Sequence, residues 1–173
     1  MSSTSALSAK FKGDLVKPDD VGYDDAIKRW AANAARRASL VAFVKDEEDV
    51  VLAIKYARDN GSPIAIRGGG HSPSGSSSTE GGVVIDLSRY LNSVTIETEK
   101  QLAHIDGGAL WKTVDETAIK YGLASVGGTI NHVSMIPDLS PLRLIYWVIS
   151  SRLASGGICI AIYSLTSLLT VCF

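Results

Sequence analysis

One stretch, Ile64-Ala65-Ile66-Arg67-Gly68-Gly69-Gly70-His71-Ser72, constrains this chain more than any other. An apolar run of strand length enters it, three glycines turn it, and a histidine and a serine follow at once. Consecutive glycines remove the β-carbons from the backbone, so that successive amides can point into one concavity and bind an anion such as a phosphate. His71 then stands where a nucleophilic imidazole meets whatever the concavity holds. The commoner phosphate loops do not fit. In the P-loop spacing from Gly70 to Gly75, Ser76 occupies the place of the lysine; in the dinucleotide pattern from Gly68, Pro73 takes the place of the last glycine.

The flanking pattern predicts where this loop sits. Leu40-Val41-Ala42-Phe43-Val44 reads as a buried strand. Asp46 reads as the N-cap of a helix whose apolar face is Val50, Ile54 and Ala57 and whose stop is Gly61. Ile64–Ile66 is the next strand, which makes a βαβ unit with the glycine loop at the carboxyl end of its second strand, the usual ligand side of such a sheet. Val83–Leu87 reads as a third strand, covered on both faces. Upstream, residues 10–22 read as an irregular arm, and Tyr23, Ile27, Trp30, Ala31 and Ala34 recur at helical spacing. Downstream, residues 94–98 and 101–105 read as a hairpin. Leu110, Trp111, Val114, Ala118 and Tyr121 mark a helix ended by Gly122, and a second glycine pair follows at Gly127-Gly128.

Composition narrows the function classes. With 173 residues and a formal net charge of -1 the chain has room for one sizeable core and no electrostatic footprint for nucleic acid. The three histidines and two cysteines show no metal-ligand spacing. The Ser-rich start lacks the apolar core of a secretory signal, so a cytoplasmic location is expected.

Four motifs in order carry a resemblance: Ile66–Ser72, then Val84-Ile85-Asp86-Leu87-Ser88, then Gly107-Gly108-Ala109-Leu110-Trp111, then Gly127-Gly128-Thr129. Together they resemble the PCMH-type FAD-binding domain of the vanillyl-alcohol oxidase superfamily, and within it the berberine-bridge-enzyme-like FAD-linked oxidoreductases. The resemblance implies an α/β fold (α+β once a second subdomain is counted): a βαβ subdomain plus the start of a mixed-sheet subdomain. It divides the chain into an arm and helix at 1–36, a partial FAD-binding domain at 37–132 and an apolar tail at 133–173. It implies FAD as cofactor. The amides of Arg67, Gly68, Gly69, Gly70, His71 and Ser72 would hold its pyrophosphate, with Gly127, Gly128 and Thr129 as a second contact. His71 matches the histidine that many members join covalently to the flavin 8α-methyl carbon. The implied activity is oxidation of a small organic substrate, with hydride passing to the flavin and dioxygen reoxidising it. The matching positions include no catalytic base, so the chain is expected to be a truncated form, inactive alone. The alternative is a non-catalytic flavin-binding fragment or a tail-anchored module.

The tail departs from the family. Where members continue with another glycine-rich segment, this chain reads Val133-Ser134-Met135, and no charged residue occurs from Leu153 to Phe173. Such a stretch has about the length that spans a bilayer, so a membrane association is expected only through 153–173. Translated intron sequence is the expectation preferred here, because Val-Ser codons can spell a splice donor. His104, His132 and Asp86 are read as residues without a site role.

Overall fold

The computed structural model describes residues 3–100, 102–124 and 130–134, together with the backbone of three strands in 145–172. The first sheet has the order β1-β2-β4-β3, built from β1 (Asp14–Val16), β2 (Leu40–Phe43), β3 (Ile64–Arg67) and β4 (Val83–Asp86). β2, β4 and β3 run parallel, and β1 pairs antiparallel with β2. The expected βαβ unit is present, with helix α3 (Glu47–Asp59) as its crossover, but β4 lies between its two strands. The residues read as an irregular arm supply β1, and ahead of them lies the short helix α1 (Ser3–Ser8).

Period-two alternation assigns the two faces of this sheet. Leu40, Ala42, Val44, Val83 and Ile85 face α3 and α1, packing on Val50, Ala53, Ala57 and Leu7. Val41, Phe43, Ala65 and Val84 face the opposite way, onto Tyr23, Ala26 and Ile27. Every residue of β2 and β4 is buried, as expected for a sheet covered on both sides.

The helix expected over residues 23–34 is shorter. Helix α2 covers only Tyr23–Ile27, Lys28 turns out into an extended conformation, and Ala32–Ala34 form a single 3-10 turn. A helix this short has little stability of its own, so tertiary bonds made by Arg29 and Trp30 override the periodic pattern. Trp30, placed by that pattern on an apolar face, is instead 63% exposed.

A second sheet begins with the expected hairpin, β5 (Val94–Glu97) and β6 (Leu102–Ile105), on which helix α4 (Trp111–Ala118) packs. Ala103, Ile105, Trp111, Val114, Ala118 and Leu123 form its core. A 3-10 turn, Ile119–Tyr121, follows α4 and leaves Tyr121 exposed rather than on the apolar stripe, because the tighter winding rotates it off that face. Strands β7 (Ile145–Val148), β8 (Cys159–Ser164) and β9 (Ser167–Cys172) extend this sheet antiparallel. The stretch read as a bilayer span therefore contains the β8–β9 hairpin. Among the described residues no helix is long and apolar enough to cross a membrane.

Asp49 holds the start of the fold together. Its buried carboxylate accepts from the backbone N–H groups of Lys12 (2.8 Å), Gly13 (2.9 Å) and Lys45 (3.0 Å). Its own N–H caps onto Asp46 Oδ1 at 3.1 Å, as the N-cap reading predicts. Asp49→Ala leaves three amides without their acceptor, and urea titration should show a loss of about 3 kcal/mol.

Candidate functional site

The glycine loop leaves the carboxyl end of β3, where Arg67 stands in register with Asp86 of β4. The same alternation that buries Ala65 and Val84 puts both of these side chains on the α2 face. Arg67 Nη1 donates to Asp86 Oδ2 at 2.8 Å and to the Ala26 carbonyl at 3.2 Å. Asp86 is fully buried, and its other oxygen accepts from the Ser88 amide (2.9 Å) and hydroxyl (2.6 Å). Asp86 is thus a structural anion, in keeping with its reading as a strand-end residue. The Arg67 side chain lies beneath the loop, and its segment's claim on a cofactor rests on backbone.

A second guanidinium lies close by. Arg29 donates from Nε and Nη2 to the Ser77 carbonyl (3.0 and 2.7 Å), and from Nη1 to the carbonyls of Lys28 (2.7 Å) and Ala26 (3.3 Å). Burial, and then the nearby charge of Arg67, push its pKa down to about 10, with Asp86 opposing the shift. Arg67 bonds the buried carboxylate while Arg29 adds a second positive charge nearby, and Arg67 Nε is buried without a partner among the described residues. The positive excess under the loop favours an anion above it. Gly70 bridges the two layers: its φ of +67° suits glycine, and a β-carbon there would meet Arg67 Nε at 3.0 Å and Arg29 Cδ at 3.2 Å.

The loop also faces the second lobe. A β-carbon on Gly68 or Gly69 would collide with Ser134 Oγ, at 2.6 and 2.9 Å, and one on Gly69 also with Leu110 Cδ2 at 2.8 Å. Ser134 Oγ accepts a hydrogen bond from the Gly69 amide, so this amide is presented to an oxygen ligand. A cavity of about 260 Å³ adjoins, lined by Arg67, Gly68, Gly69, Ser88, Asn92 and Thr113 among others. Ser72 turns the other way and joins a cluster of hydroxyls, with Ser74 Oγ at 2.9 Å and Ser76 Oγ at 2.8 Å. Gly127, Gly128 and Thr129 lie outside the described residues.

His71 stands at the mouth of the loop. Its Nε2 is buried and has no hydrogen-bond partner among the described residues. One ring face is stacked on Trp30 (centroids 4.4 Å apart, planes 18° apart), and His132 lies tilted against it at 4.8 Å and 52°. The Trp30 N–H donates to the Gly70 carbonyl at 3.1 Å. Sequence reasoning missed Arg29, Trp30, His132 and Ser134. His104, by contrast, sits on β6 near Glu97 (3.6 Å), away from these groups.

A parallel sheet ending in a buried Arg–Asp pair, with a glycine loop and an orphaned imidazole nitrogen above it, defines a domain built for a phosphate-bearing cofactor beside a histidine. Residues 38–135 match the FAD binding domain, and the chain belongs to that family. It is 39% identical over 128 residues to (R)-6-hydroxynicotine oxidase of Paenarthrobacter nicotinovorans, covering 74% of this chain and 28% of that protein. It is 37% identical over 123 residues to FAD-linked oxidoreductase hasG of Aspergillus fumigatus, covering 71% of this chain and 26% of that protein. The crystal structure of 6-hydroxy-D-nicotine oxidase from Arthrobacter nicotinovorans superposes with a TM-score of 0.70 at 37% identity, over 73% of this chain and 28% of that one. The Physcomitrella patens berberine-bridge-enzyme-like protein 1 shares the fold, with a TM-score of 0.71 at 20% identity over 78% and 29% of the two chains. The chain thus spans between a quarter and a third of the length of these relatives. The family is one of FAD-binding oxidoreductases, and FAD is its cofactor.

The site depends on its buried counter-charge. Asp86→Asn keeps the shape but leaves the Arg67 guanidinium without its carboxylate, so stability in urea should fall by about 3 kcal/mol. A variant as stable as the wild type would show that the charge pair is not what holds the loop.

Proposed function

We propose that this chain is the FAD-holding part of an oxidoreductase that oxidises a small organic substrate, and that His71 tethers the flavin covalently. The observation that carries the reading is the buried, unpartnered Nε2 of His71, held at the end of a glycine loop over a net positive layer. A buried polar atom without a partner is costly, and a ligand contact relieves that cost. The residues present fit the cofactor: the Gly69 amide is turned to a hydroxyl oxygen, that of Ser134, the Arg29–Arg67 pair offsets pyrophosphate charge, and His71 offers a nucleophilic ring. When bound, FAD supplies the redox chemistry by accepting hydride, and the electrons released in tether formation, and by passing them to dioxygen. In that tether His71 would lose its ring N–H proton and the flavin methyl carbon one C–H proton, the two electrons left being those the flavin passes to dioxygen. The relatives, an oxidase and an FAD-linked oxidoreductase, support the reaction class.

Proton transfer with substrate is not assigned to this chain. Asp86, the carboxylate beneath the loop, is already engaged by Arg67 and Ser88. The chain is therefore inactive alone in this reading. The tether is tested by expressing the chain with FAD supplied, denaturing it, and following flavin fluorescence on the polypeptide. Flavin should stay with the wild type and leave His71→Ala. Flavin released from both overturns the tether.

A further inference from the structure

We propose that Trp30 is a positioning residue for His71, its indole fixing the plane of the imidazole at the mouth of the glycine loop. The inference rests on the reading that His71 meets the cofactor. A histidine that must present one nitrogen is ordinarily oriented by a hydrogen bond to the other. Here Nε2 is the nitrogen left open for the cofactor, so no hydrogen bond at that atom orients the ring. Ring contacts take its place: near-parallel stacking on Trp30 at 4.4 Å, with His132 at the tilted position.

Trp30 is poorly explained as core. It is 63% exposed, and the chain gives up helical hydrogen bonds after Ile27 to carry it to the loop. Two further contacts fix its place. Its backbone N–H donates to the carbonyl of Gly70, the residue just before His71. The preceding residue, Arg29, is tied to the Ser77, Lys28 and Ala26 carbonyls, so the indole is anchored both to the loop and to the segment beyond it. The charged and titratable groups around the stack are His132, Arg29 and, under Gly70, Arg67.

The test uses the full chain with Trp30→Leu, Trp30→Phe, His71→Ala and the double variant Trp30→Leu/His71→Ala. In the chain without cofactor, NMR should find the His71 ring protons displaced upfield by the indole ring current. The displacement should vanish in Trp30→Leu. With FAD as the probe, the flavin kept through native gel filtration should fall roughly two- to tenfold in Trp30→Leu, the range an aromatic stack supports, and recover in Trp30→Phe. In the His71→Ala background, Trp30→Leu should cost nothing more, because Trp30 acts through His71. Undisplaced ring protons in the wild type, unchanged retention in Trp30→Leu, or a loss that persists without His71 would each overturn the proposal. Flavin kept natively but shed on denaturation would count against the tether alone and leave these arms readable.

Discussion

The Arg67–Asp86 contact governs the rest of this structure. A carboxylate with no solvent exposure needs its guanidinium, and that requirement sets the register of β3 against β4 at their carboxyl ends. Once the register is set, the backbone beyond Arg67 has only one place to turn. The three glycines let it turn there while Arg29 presses from below and Leu110 and Ser134 approach from the other side. Burying a lone ion pair is seldom a route to stability. Its use here is geometric: it points a loop and leaves a positive excess beneath it once Arg29 is added.

Much of this was legible because local and global signals agreed. Asp46 as N-cap, Gly122 as a helix stop, the buried strands Leu40–Phe43 and Val83–Asp86, and the 94–105 hairpin were set by propensity and periodicity that tertiary structure did not contest. The glycine loop was legible for the same reason, since strand, glycines and histidine are contiguous. What escaped depended on partners distant in sequence. Trp30 continues the apolar spacing of Tyr23 and Ile27, and nothing beside it signals that Gly70, forty residues on, will take its N–H. Ser134 is an ordinary serine until the fold sets it against Gly69. His132 acquires interest only through its distance to His71.

The two lobes meet through backbone more than through side chains. The Gly108 N–H donates to the Leu91 carbonyl at 2.7 Å, and the Asp106 N–H to the Ser93 carbonyl at 3.0 Å, so the second lobe is tied to the chain leaving β4. The paired glycines at 107–108, one of the motifs behind the family resemblance, thus serve the junction between lobes, and Gly108 also lines the cavity beside Gly68 and Gly69.

The strand order has a kinetic consequence. Because β4 lies between β2 and β3, the crossover through α3 leaves a gap one strand wide until residues 83–86 arrive. Before that, β3 has no neighbour in its own sheet, Arg67 has no counter-ion, and the loop that carries His71 has no fixed direction. Shaping of the loop is therefore a long-range event, in which β3 cannot pair before the central strand is in place. A nascent chain stalled short of residue 83 would hold every residue of the Arg67–Ser72 loop and none of its shape.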